Sequence, residues 1–258
     1  ENDFDAARGV VGVYDVANGY RRIGEFDSFG VGPHDMLLDP VSDSLVIANG
    51  GIETHPETGR AKLNIASMAP SLVFIDRHTG DLRARHELSS GQHKLSIRHI
   101  DVDAGGRIWF GGQWQGDLLD APSLVGCAGQ DNPITLVRAL AERGAGLQGY
   151  VGSVTTTHNG CLLAASAPRA GRILVIETQS GDVVGEHALL DGCGVAQHQD
   201  TAFVASSGMG HVVGLGAIAP GEQVLQSGAD ARGLGQRVKP GLARRFPGIA
   251  FDNHLVSF

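Results

Sequence analysis

Three adjacent residue pairs carry the side chains best suited to chemistry: His34-Asp35, Arg98-His99 and Asn253-His254, with Asn49 as a further amide. Imidazole and carboxylate together suit metal ligation or proton transfer. A guanidinium can hold a carboxylate or phosphate through two parallel hydrogen bonds. His34, His99 and His254 are the positions that would ligate Fe, Cu or Zn. No H-x-H or H-E-x-x-H spacing joins any of these histidines locally, so a shared site requires a fold that draws distant segments together. Each also has a structural alternative, because a polar side chain near an axis can bond the backbone of its neighbour.

The elements that would position them repeat along the chain. His34–Asp39 (HDMLLD) is followed by a turn and Leu45–Gly50 (LVIANG). His99–Asp103 (HIDVD) is followed by Arg107–Gly112 (RIWFGG), Gly152–Thr156 by Cys161–Ser166, and Cys193–Gln197 by Thr201–Ser207. A second hairpin comes after such a pair: Leu72–Asp76, a turn over His78–Asp81, and Leu82–Leu88; then Arg172–Glu177, a turn over Gln179–Asp182, and Val183–Leu189. His211–Leu215 and Gln223–Gln226 fit the same places more weakly. Gly and Asp in the turns suit tight hairpins. Units of four antiparallel strands, A to D outward from an axis, are the blades of an all-β propeller.

The repeat divides the 258 residues into a half blade over 1–30, blades at about 31–92, 93–149, 150–191 and 192–230, and a closing strand over 250–258. The opening hairpin, Gly9–Val16 and Arg21–Phe26, has no A–B pair before it, so the reading expects further blades upstream. Ile134–Arg143 (ITLVRALAER) has a helical pattern stopped by Gly144, although an outer strand belongs there.

Strand order assigns the loops to ends. The D-to-A and B-to-C loops emerge at one end, here called the top, and the A–B and C–D turns at the bottom. His34, Asp35, Asn49, Arg98, His99, Asn253 and His254 all belong to the top and converge on an axial funnel in this reading. Arg98 has Asp35 or Asp101 as a structural partner, or else a ligand anion. His78, His158 and His198 fall in bottom turns, and His86 and His187 in outer, solvated strands.

Composition excludes several classes. Net charge is −8, from 28 acidic and 20 basic residues that are interspersed, so there is no basic stripe for nucleic acid or anionic lipid. No apolar run is long enough to span a bilayer as a helix. Three cysteines, Cys127, Cys161 and Cys193, contain no C-x-x-C and form no closed disulfide framework, though two of them could pair. Gly144–Gly149 reads G-x-G-x-x-G, but it does not follow a strand and open a helix as a dinucleotide site must. No G-x-S-x-G supports Ser153 or Ser206 as a nucleophile.

The opening END with RGVVGVYD, then GPHDMLL, ANGGIETHPETGRAKLN at Ala48–Asn64, LSIRH, YVGSV, DGCGVA, ASSG and FDNHLVSF resemble a bacterial family designated DUF1513, whose activity is unknown. The resemblance implies a seven-bladed propeller, incomplete in this chain. It also implies twin-arginine export to the periplasm, and imelysin-like or haem redox partners linked to iron acquisition. It implies no reaction.

Three functions fit these residues: a periplasmic ligand-binding or scaffold protein, a metal-assisted enzyme (a lactonase-like hydrolase or an oxidoreductase) with its site in the funnel, and a propeller without a ligand. The funnel is richer in His, Asn and Arg than in carboxylates, and this favours binding over metal-assisted chemistry.

Overall fold

The computed structural model describes residues 1–198, 202–216, 239–247 and 249–251. Their nineteen strands form five antiparallel sheets, each built in chain order. The first holds β1 (Asn2–Asp3), β2 (Arg8–Asp15) and β3 (Arg21–Asp27). The second holds β4 (Pro33–Asp39), β5 (Ser44–Asn49), β6 (Ser71–Asp76) and β7 (Leu82–Glu87). The third holds β8 (Leu95–Val102), β9 (Ile108–Trp114), β10 (Val125–Gly129) and β11 (Asn132–Leu136). The fourth holds β12 (Ser153–Thr156), β13 (Leu162–Ala167), β14 (Arg172–Glu177) and β15 (Val183–Ala188). The fifth holds β16 (Gly192–His198), β17 (Ala202–Ser207), β18 (His211–Gly216) and β19 (Lys239–Arg245).

The first strands of consecutive four-stranded sheets, β4, β8, β12 and β16, touch one another in turn. Sheets so arranged are propeller blades, as the repeat implies. Middle strands are apolar on both faces because each blade is covered on both sides: Leu72, Val73, Phe74 and Ile75 of β6 are all buried. One apolar cluster joins the second, third and fourth sheets, a second joins the fourth to the fifth, and a third joins the first to the second. Outer strands such as β7 are exposed at alternate residues.

Turn chemistry holds the bottom end. Asp39 accepts the backbone N–H groups of Val41 and Ser42, Asp76 those of His78 and Thr79, and Asp103 those of Gly105 and Arg107. Gly160 lies in the left-handed region (φ 68°) against the third sheet's A–B turn, and a Cβ there would come within 2.2 Å of the Ala104 nitrogen.

Three local expectations are corrected. Ile134–Arg143 is not an α-helix: Asn132–Leu136 is the outer strand β11, and only a three-residue 3-10 turn, Arg138–Leu140, follows. The open edge of β10 needs a partner, and the ladder extends to the Val137 N–H, bonded to Val125 O at 2.9 Å. Among the described residues all helical structure consists of such short turns. The fourth place of the fifth sheet belongs to Lys239–Arg245, beyond the expected boundary at 230, while Gln223–Gln226 and the expected closing segment Asp252–Phe258 lie outside the described residues. His86 is not a solvated outer residue: its Nε2 donates to Gln130 O of the third sheet at 2.9 Å, and its ring meets Phe74 edge-on.

Candidate anion site at the axial end

Three of the four inner strands of the complete blades are bulged near the top. On β4, Pro33 faces Asn49 but Asp35 faces Ala48, which leaves His34 as an extra residue. On β8 the register shifts between Ile97 and Ile100, where Arg98 and His99 sit. On β16 it shifts between Gly192 and Val195, around Cys193. A bulge breaks the strict in–out alternation and re-aims side chains. The sequence pattern places Arg98 and His99 at the start of their strand; β8 starts earlier, at Leu95, and the bulge brings them to the start of β4.

There the cluster forms. Arg98 Nη1 lies 3.3 Å from His34 Nδ1. Arginine only donates, so His34 accepts through Nδ1 and its ring proton is on Nε2. The His34 and His99 rings meet edge to face, centroids 4.8 Å apart. His99 is buried, and its Nδ1 lies 3.6 Å from Asp35 Oδ2. That carboxylate is otherwise occupied by the backbone N–H groups of Met36 and Ile100. It ties the second blade to the third.

Arg98 pairs with neither acid that the sequence offers. Asp35 faces His99, and Asp101 accepts from Thr155 and Thr156 of the next blade. Arg98 Nε is buried without a hydrogen-bond partner among the described residues. Burial pushes the guanidinium below the usual arginine range, and the nearby Tyr150 hydroxyl, when ionised, opposes that effect. Tyr150 and the Arg169 guanidinium stacked on its ring at 4.5 Å are members that sequence reading missed. Their signal was their place, just before β12 and just after β13 at the same end.

Asn49 does not join this group. It is fully buried, and its amide donates to Ser28 O (2.9 Å) and Ser71 Oγ (3.4 Å), sealing the first sheet to the second. Asn253 and His254 lie outside the described residues. Among the described residues no group of three or more His, Cys, Asp or Glu side chains is placed to hold a metal ion. Among the described residues no disulfide joins Cys127, Cys161 and Cys193 to one another; Cys193 Sγ lies 3.1 Å from Asp191 O.

The profile of the family "Protein of unknown function (DUF1513)" matches residues 1–258. The chain belongs to the DUF1513 family. This DUF1513 chain is also similar to the β-propeller domain of Cps50 (Swd1) from Myceliophteria thermophila, at 9% identity and a TM-score of 0.60. The match covers 95% of this chain and 69% of that one, and at such identity it shows the fold alone. No curated protein matches the chain. Among the described residues no helix is long and apolar enough to cross a membrane.

The family motifs now have physical meaning. In Ala48–Asn64, Asn64 accepts from Glu53 N and donates to Gly51 O, closing the long top loop on itself. GPHDMLL and LSIRH supply the two bulged strands that carry the cluster.

Proposed function

We propose that this DUF1513 chain is a ligand-binding propeller whose top end takes a small anion, a carboxylate or phosphate, through Arg98. The observation that carries the reading is the Arg98 guanidinium, partly buried beside two imidazoles, with Nε buried and unpartnered. A cation withdrawn from water needs an acceptor, and an anion supplies one bidentately. Tyr150 and Arg169 add a hydroxyl and a second positive charge on the same side.

The same proposal sets the protein in the periplasm after twin-arginine export, binding for imelysin-like or haem redox partners in iron acquisition. Its support is the family resemblance. The rival reading, a metal-assisted hydrolase or oxidoreductase, is favoured by the Asp35–His99 approach; both oxygens of Asp35, however, already accept backbone hydrogen bonds.

Calorimetric titration with phosphate and with acetate, on the parent protein and on Arg98→Ala, tests the reading. Binding by the parent that is lost in the variant supports it. No binding by the parent, or equal binding by both, overturns it. Titration with Zn²⁺ and Fe²⁺ addresses the rival.

A further inference from the structure

A second site lies away from the axis, between the third and fourth blades. A cleft of about 480 Å³ is lined there by Arg107, Trp109, Cys127, Thr135, Val137 and Arg138, and on the facing side by the turn Thr178–Asp182. Its origin can be read across the sheets. Asp101, Trp109, Cys127 and Thr135 are register partners on successive strands, so they form one row from the inner strand to the rim. At the inner end Asp101 closes the gap between blades by accepting from Thr155 Oγ1 and from Thr156 N and Oγ1. Further out the blades diverge, and filling the gap falls to side chains.

The preceding interface shows how the gap is filled. Its equivalent row is Leu37, Val46, Phe74 and Ala84, since Leu37 and Asp101 each stand two residues before the aspartate that caps the A–B turn. Phe74 is fully buried there and His86 bridges the rim. Cys127 occupies the place of Phe74 but is only partly buried, and Thr135 at the rim is exposed. A small residue where the neighbouring interface has a phenyl ring leaves space of ligand size.

The lining defines the occupant. Trp109 lies under the Arg107 guanidinium at 5.4 Å, and Arg107 Nε is held by Asp103 Oδ2 at 2.8 Å, so Arg107 is a fixed planar platform whose charge is already balanced. Arg138 is exposed and, among the described residues, forms no ion pair; Asp182 is the acid on the facing turn. Burial pushes the Cys127 thiol up, so it contributes a neutral, polarisable wall. We infer that this cleft binds a small aromatic carboxylate, its ring over the Arg107 platform in the place that Phe74 fills next door and its carboxylate on Arg138.

The test uses the whole chain carrying Arg98→Ala, which removes the axial carboxylate site, with benzoate, benzamide and benzylammonium as probes in ligand-observed NMR titrations. Benzoate is expected to bind and benzylammonium not to. Cys127→Phe, which refills the row as Phe74 does, should abolish binding, and Arg138→Ala should weaken it by about tenfold, the loss of one charge-assisted contact. Benzoate should also slow alkylation of Cys127, read by peptide mass spectrometry, while exposed Cys161 reacts unchanged. Arg138 is on the surface, so its variant remains informative if Cys127→Phe fails to fold. Absence of benzoate binding, binding unaffected by Arg138→Ala, or equal binding of benzylammonium would overturn the inference. Arg98→Ala should leave benzoate protection of Cys127 intact, which separates this site from the axial one.

Discussion

The two ends of the propeller use the same residue types in opposite ways. At the bottom, buried Asp103 accepts from Gly105 N, Arg107 N, Arg107 Nε and Trp109 Nε1, all at 2.8–3.1 Å, and Asp76 combines two backbone donors with Arg83. Both of these carboxylates are matched, and each holds its turn. At the top, Arg98 has a neutral imidazole for a partner and a buried nitrogen with none. A satisfied buried charge stabilises the fold it belongs to. An unsatisfied one costs free energy until something binds it. The contrast separates the residues that build blades from those available to a ligand.

The largest expected effect that could break this contrast is at Asp103. Asp103→Ala strands the Trp109 indole N–H and the Arg107 charge, and should lower unfolding free energy by about 3 kcal/mol, measured in urea. A loss under about 1 kcal/mol would place Asp103 with the solvated surface charges. Arg98→Ala should do the reverse: stability within about 1 kcal/mol of the parent, or higher, with anion binding gone. A large destabilisation would make Arg98 a structural residue like Asp103.

Acid sharpens the comparison. The N–H groups of Thr79 and His78, with Arg83, hold the Asp76 carboxyl far below the usual carboxylate range. A depressed folded value means that the stabilisation is present above the unfolded value, about 3.9, and is lost as pH falls through the folded one. Asp76→Asn should therefore flatten the decline of urea midpoints below about pH 4. An unchanged slope would remove Asp76 from the bottom framework. The smallest effect is spectroscopic. Nitrogen NMR should find His34 with its proton on Nε2 at neutral pH, and Arg98→Ala should relax that preference. Protonating His34 breaks its acceptor bond and sets a second cation beside Arg98, so acetate should bind more tightly with His34 protonated than with it neutral.

Much of the blade was legible because its signals are local. Apolar runs such as Leu72–Asp76 and Arg172–Glu177, with Gly and Asp between hairpin strands, carry their conformation within a few residues. The helical pattern at Ile134–Arg143 misled for the same reason: periodicity there is real, but an unpaired edge on β10 outweighs it. The top-end grouping was legible only as topology. Chain order brings His34, Arg98 and His99 to one end of the blades, and also brings Asn49 there; it does not say that Asn49 turns toward Ser28.

What this sequence determined alone is the alternation, the turns and hence the blade. Those depend on backbone preferences and side-chain periodicity along one stretch of chain. The tertiary structure decided which polar groups meet. Arg98 and His34 are 64 residues apart, and their contact depends on a one-residue bulge in each of two strands and on two blades fitting side by side. The cleft beside Cys127 has the same cause: a thiol leaves space only because the register of four strands puts it at the position where the preceding interface has the Phe74 ring.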